Sequence, residues 1–159
     1  MYTDASNLTN GGSASWGVGL LVNTQQFAVN GPYDAVSLSA TDFFYDATGG
    51  GTPIEIAGNT APAFYDVAFA NGATTTALIS NSAGIDVANT LQLQNGITKT
   101  SGTLTAMAIR LGAAASLTGS GAFGATRYVD GYMSKAGSAA FTFPLGNGGI
   151  YSPATFSQS

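Results

Sequence analysis

The sequence predicts an all-β chain wound as a β-solenoid, a parallel β-helix-like stack of short strands with Gly or Asn at its corners. Three observations carry that expectation. No window places apolar residues at i, i+3, i+4 and i+7 with Glu, Lys or Arg on the opposite face, so amphipathic helices are not signalled. Short apolar–small–apolar or apolar–polar–apolar runs recur along most of the chain. Gly and Asn turn signals separate them.

The runs are Val18-Gly-Leu20, Phe27-Ala-Val29, Val36-Ser-Leu38, Phe43-Phe-Tyr45, Ile54-Glu-Ile56, Val67-Ala-Phe69, Ile85-Asp-Val87, Leu91-Gln-Leu93, Ile109-Arg-Leu111 and Phe141-Thr-Phe143. Period-two alternation of this kind turns one side of a strand inward and the other outward. The turn signals are Asn30-Gly31, Gly49-Gly50-Gly51, Asn71-Gly72, Ala83-Gly84, Asn95-Gly96, Ser101-Gly102, Gly119-Ser-Gly121 and Asn147-Gly-Gly149. Gly72, Gly84 and Gly96 recur at a fixed interval, and corners that turn through positive φ favour glycine. Three-residue runs are short for a sandwich, where strands of about 5–6 residues are usual. In a stack they need only cover their neighbours, because successive strands build one continuous core. The alternative arrangement is an antiparallel β-sandwich using the Asn-Gly pairs as hairpin turns. Residues 1–159 read as a single module, with 139–159 leaving the stack as a cap or as the start of a following module, since Pro144 and Pro153 interrupt any central strand.

Composition narrows the function classes. Apolar residues make up 45% of the chain, too many for a disordered segment, whereas charged residues are only 8% against roughly 25% in ordinary soluble domains. Hydroxyls and amides must therefore solvate the surface, as in extracellular repetitive β proteins. With no Cys there is no disulfide framework or thiolate metal site, and with no His there is no histidine acid–base catalyst or histidine-ligated metal. No stretch approaches the ~18 apolar residues of a membrane-spanning helix, and the first residues lack the basic start and apolar core of an export signal. Four scattered cations do not make a phosphate-binding surface, which argues against nucleic acid.

Charge placement is uneven. Asp4, Asp34, Asp42, Asp46, Glu55, Asp66 and Asp86 precede residue 99 without one basic residue, whereas Lys99, Arg110, Arg127 and Lys135 follow with Asp130 alone against them. This split suggests head-to-tail contact between modules that weakens as salt rises, with Lys99 and Arg110 as contributors.

The stretch Phe64-Tyr-Asp-Val-Ala-Phe-Ala-Asn-Gly72, then Gly84-Ile-Asp-Val87, Leu91-Gln-Leu-Gln-Asn-Gly96, and Tyr128-Val-Asp-Gly-Tyr132 leading into Ala140-Phe-Thr-Phe-Pro-Leu-Gly146, resembles the repetitive surface proteins exported by the type IX secretion system of gliding bacteria. The likeness spans roughly residues 43–156. It implies a long, modular, extracellular adhesin or surface coat with β-helical repeats and a separate C-terminal sorting domain, whose pattern is not in these residues. It implies no catalytic residue.

Among candidate sites, only carboxylates remain for catalysis. Asp66 and Asp86 lie singly in strand-like runs, and Asp42 and Asp46 flank Phe43-Phe-Tyr45; solvation or turn capping accounts for them better than a glycan-cleaving pair, which would need a basic companion. Calcium suits such oxygen donors, but no Asp-x-Asp-x-Asp loop or Gly-Gly-x-Gly-x-Asp repeat is present, so the metal assignment stays open. Trp16, Tyr33, Phe43, Phe44, Tyr45, Tyr65, Tyr128, Tyr132 and Tyr151 supply aromatic surface for sugar stacking or, more simply, for core and module-junction packing. Thr74-Thr-Thr76, Thr98-Lys-Thr100 and Thr103-Leu-Thr105 resemble outward threonine ladders without establishing a repeated flat face.

The sequence thus reads as a secreted, non-catalytic, cofactor-free structural or adhesive module of a cell-surface or filament-forming protein. Its expected partners are neighbouring modules or copies of itself end to end, with surface glycans as a further class and no membrane insertion. A carbohydrate-binding module or a polysaccharide-acting β-helix is the alternative.

Overall fold

The computed structural model describes residues 2–3, 7–10, 21–22, 26–34, 36, 41–45, 54–70, 76–100 and 109–157. Among these the chain is all-β, without an α-helix, and two sheets carry most of it. The first orders β1 (Tyr2–Thr3), β3 (Leu21–Val22), β5 (Thr41–Tyr45), β7 (Ala63–Ala70), β9 (Ile85–Asn95), β11 (Ile109–Leu111) and β14 (Met133–Lys135), with β12 (Ser116–Gly119) also paired to β9. The second orders β2 (Asn7–Asn10), β4 (Gln26–Val29), β6 (Glu55–Gly58), β8 (Thr76–Ile79), β10 (Ile97–Thr100) and β13 (Val129–Asp130).

Every pairing within both sheets is parallel. From β1 to β11 the chain alternates between them, leaving one sheet, adding a strand to the other and returning one position further along. Parallel neighbours cannot be joined by a tight hairpin, so each return needs a long connection. Side chains that meet across neighbouring strands in the centre of the first sheet are 23 to 26 residues apart in sequence. Antiparallel pairing is confined, among the described residues, to an isolated bridge between Gly124 and Arg127 and to the C-terminal stretch. There β15 (Phe141–Phe143) pairs with β18 (Ala154–Phe156), and β16 (Gly146–Asn147) with β17 (Ile150–Tyr151).

Parallel register stacks inward residues of like character. In the first sheet Phe44, Phe69 and Leu93 are mutually in register, as are Phe64, Val87 and Leu111, and Ile85, Ile109 and Met133. In the second, Phe27, Ile56 and Ile79 align. All but Met133 are at most 2% exposed. The two inner faces meet in one cluster, where the Phe27 ring lies 5.6 Å from Phe44, and Phe44 lies 5.9 Å from Phe64 and 5.8 Å from Phe69. Burying one such ring contributes about 1.5–3 kcal/mol, so this aromatic column is the strongest part of the core.

Some runs behave differently from expectation. Ile85-Asp-Val87 and Leu91-Gln-Leu93 are not two short strands but the halves of β9, which is 11 residues long. Its register against β7 shifts between Phe64 and Asp66, so an extra β9 residue bulges at Ala88-Asn89 and the strand bends without a glycine. Phe141-Thr-Phe143 belongs to neither parallel sheet. Val18-Gly-Leu20, Gly49–Gly51, Gly72 and the Ser101-Gly102 turn fall outside the described residues, as does Leu38.

Gly84 and Gly96 do take positive φ, at 73° and 76°. Gly58 is more constrained, combining φ 108° with a close approach to the preceding strand of its sheet: a β-carbon there would sit 2.0 Å from the Val29 carbonyl oxygen. That oxygen accepts hydrogen bonds from the amides of Asn59 and Thr60, at 3.0 and 3.1 Å, so neither backbone can withdraw without breaking the corner.

Two stability outcomes follow. Gly58→Ala should cost at least ~2 kcal/mol in urea unfolding, whereas Gly124→Ala, with open space and no positive φ, should stay within about 0.5 kcal/mol. Phe44→Ala should cost ~3–5 kcal/mol; a loss below about 1 kcal/mol would contradict its place in the aromatic column.

Candidate functional site

The described carboxylates are held apart, each by its own partners. Asp66 accepts from Asn89 Nδ2 at 2.8 Å and Thr41 Oγ1 at 3.4 Å. Thr41, Asp66, Thr90 and Ser116 occupy one position on four neighbouring strands, so the acid belongs to a polar row across the first sheet. Glu55 accepts from Gln26 Nε2 at 2.7 Å and from Ser80 Oγ at 2.5 Å. Asp34 accepts the Val36 amide at 2.9 Å, the turn-capping role expected of an isolated Asp. Asp46 and Asp4 lie outside the described residues. Among the described residues no three acids gather as a metal cage would require.

The charge split is partly neutralised within the chain. Arg110 follows Asp86 in register on the next strand and grips it with two bonds, Nε to Oδ1 at 2.6 Å and Nη2 to Oδ2 at 3.0 Å, while Nη1 reaches the Ala83 carbonyl at 2.7 Å. Lys99 lies 3.9 Å from Asp130, its register partner across β10 and β13. Lys135 spends its ammonium on the carbonyls of Gly112 and Ala113, at 2.9 and 2.6 Å.

Asp42 is the exception among the acids: it is 1% exposed and occupies an inward position. The Tyr33 hydroxyl donates to its Oδ2 at 2.8 Å. Burial, and then the Asp42 charge and hydrogen bond, push the Tyr33 phenol well above its ordinary range. A buried carboxylate that accepts from a phenol forms a fixed polar strut in the core. Its alternation with Phe43 and Phe44 carried no sign of this, because a strand-flanking Asp reads equally well as a cap.

The aromatics divide clearly. Tyr33, Phe44 and Tyr128 are core residues at 2% exposure or less, which removes them from any sugar platform. Phe43 and Tyr45 are register partners of Ala68 and Ala70, with side chains that are not described, and Trp16 lies outside the described residues. Of the described threonines, Thr98 is not part of an outward ladder, being 1% exposed between Ala77 and Val129, and the Thr100 hydroxyl accepts the Tyr132 amide at 3.2 Å. Thr74, Thr75, Thr103 and Thr105 are outside the described residues.

Among the described residues, an accessible apolar cleft lies at the C-terminal end. A cleft of about 540 Å³ separates β14 from the β15–β18 pair and is lined by Tyr132, Met133, Lys135, Phe141, Phe143 and Phe156. Phe143 packs edge-on against Phe141 at 4.8 Å and Phe156 at 5.8 Å, and the Lys135 ammonium stands 5.7 Å from the Phe141 ring centre. Phe156 is 65% and Tyr132 48% exposed. Of these six, only Tyr132 was singled out from sequence as a site residue. The signal available for the rest was the density of aromatics in a segment whose prolines exclude it from a central strand.

Replacing Tyr33 by Phe withdraws a donor from a buried carboxylate and should cost ~1–3 kcal/mol near neutral pH. Since folding raises the phenol's pKa, the native state keeps a proton that the unfolded chain releases, so this contribution declines as pH rises above about 10. The gap between wild type and Tyr33→Phe should narrow in urea titrations from pH 9 to 11; a gap constant with pH would refute the pairing.

The chain matches no family model, and no curated protein or solved structure matches it significantly.

Proposed function

We propose that this chain is a β-solenoid module of an extracellular surface or filament-forming protein, non-catalytic, with end-to-end association as its mode of assembly. The observation that carries the reading is the continuous parallel register of both sheets, with strands alternating between them and like residues stacked column on column. Such a stack grows in one dimension, and each strand's hydrogen bonds run along the direction of growth. A protein built this way suits reach and mechanical continuity.

Further support comes from the polar residues. Asp66, Asp86, Glu55 and Asp34 are occupied in holding neighbouring strands or turns together, which fits a scaffold better than a carboxylate-pair hydrolase. The low charge, hydroxyl-rich surface and absence of Cys and His fit an extracellular coat, the class that the sequence resemblance to type IX-exported surface proteins also implies. The segment 139–157 acts as a cap: Phe141, Phe143 and Leu145 pack on the core cluster, and Leu145 bridges Val129 of β13.

Because Arg110 and Lys99 already face acids of their own chain, association rests on backbone and apolar contact more than on opposite net charge. Seven strands of the first sheet, spaced about 4.7–4.9 Å, give roughly 30 Å of stack per chain. Sedimentation should show concentration-dependent linear association that weakens less than about tenfold between 0.05 and 0.5 M salt, and electron microscopy should show rods lengthening by a constant step. A monomer at several hundred micromolar would sink the assembly reading, and a collapse of association with salt would return the contact to net charge.

A further inference from the structure

The two sheets finish differently at the C-terminal end. In the second sheet β13 is already covered, because the Val129 amide donates to the Pro144 carbonyl at 2.8 Å and Leu145 pairs with Val129 in parallel. In the first sheet β14 is bonded, among the described residues, on one side only, to β11. On that side the Tyr132 carbonyl accepts from Ile109, and the Ala136 amide donates to Leu111. Alternate residues of a parallel strand bond to the same side, so the backbone amides and carbonyls of Met133 and Lys135 face the other way, toward a neighbour yet to be added.

The space beside this edge is shaped for a strand. The 540 Å³ cleft runs between β14 and the aromatic wall of Phe141, Phe143 and Phe156, and its volume is in the range of small ligand and peptide sites. Met133, last of the Ile85–Ile109–Met133 column, is 9% exposed and lines the cleft. The column therefore stops at a residue with apolar surface still to cover.

At the opposite end of the same sheet stands β1, paired to β3 alone among the described residues. Two ends of one parallel sheet present opposite edges with the same strand direction, so they complement each other and not themselves, which is the condition for head-to-tail addition.

We infer that the β14 edge and its aromatic cleft are the acceptor for β1 of a second copy, which lies parallel to β14 and continues the first sheet between molecules. The inference rests on the end-to-end reading above and names the strands that would make the contact.

The cysteine-free sequence allows a direct test. Single-cysteine variants Tyr2→Cys and Ser134→Cys, at positions that the register puts in the outer rows of the two strands, are mixed and oxidised mildly. Mixed disulfide dimers should exceed either homodimer at least tenfold. In a second arm, Phe156→Ser, at an exposed position, should weaken association at least tenfold.

Mixed crosslinking together with weakened association of Phe156→Ser would support the assignment. If the chain associates by sedimentation while the mixed crosslink stays at background, the β1–β14 contact is wrong but end-to-end assembly stands. A dominant Ser134→Cys homodimer would replace it with two-fold edge pairing. A chain that never associates removes both proposals.

Discussion

Parallel in-register pairing is the constraint on which the rest of this structure depends. It places each inward residue directly against its counterparts on the strands before and after, at a spacing of about 4.8 Å. A large side chain at one level therefore demands a compatible one at the next, and Phe44, Phe69 and Leu93 meet that demand by lying at the same depth. The same rule applies to backbones: Gly58 is glycine because the Val29 carbonyl lies where a β-carbon would be. Stability in a chain without disulfides comes from repeating these contacts.

Polar groups obey the register as strictly as apolar ones. Asn81 is completely buried, yet its amide donates to the carbonyls of Ala57 and Thr60 and its side-chain oxygen accepts from Ala83. It thereby satisfies a corner that would otherwise leave orphan carbonyls inside the protein. Asp42 and Tyr33 do the same within the core. On the outer side, Asp86 and Arg110 stand opposite each other on adjacent strands, so the charge difference between the two halves of the sequence becomes a tie across neighbouring strands.

The ends of a stacked structure differ from its middle because one side of each terminal strand has no internal neighbour. The C-terminal segment resolves this for the second sheet by laying Pro144 and Leu145 along β13, anchored through Tyr128, whose hydroxyl accepts the Gly149 amide at 2.8 Å. For the first sheet it builds an aromatic wall across from β14 without closing on it.

The alternation of residues by itself determined which side chains go inside: Phe27 and Val29, Ile54 and Ile56, Ile85 and Val87, Leu91 and Leu93, and Ile109 and Leu111 are buried as their period-two runs require. It also located the positive-φ corners at Gly84 and Gly96. What only the tertiary structure decided was the sense of pairing and the identity of partners. A period-two pattern is the same for parallel and antiparallel neighbours, so the pattern leaves the strand direction open. Nor does it contain the offset of 24 that sets Arg110 on Asp86, since that depends on how far each connection travels before the next strand. Asp42, Thr98 and the Phe141–Phe143–Phe156 wall were misplaced or missed for the same reason: their surroundings are made by residues distant in sequence, brought close only when the strands stack.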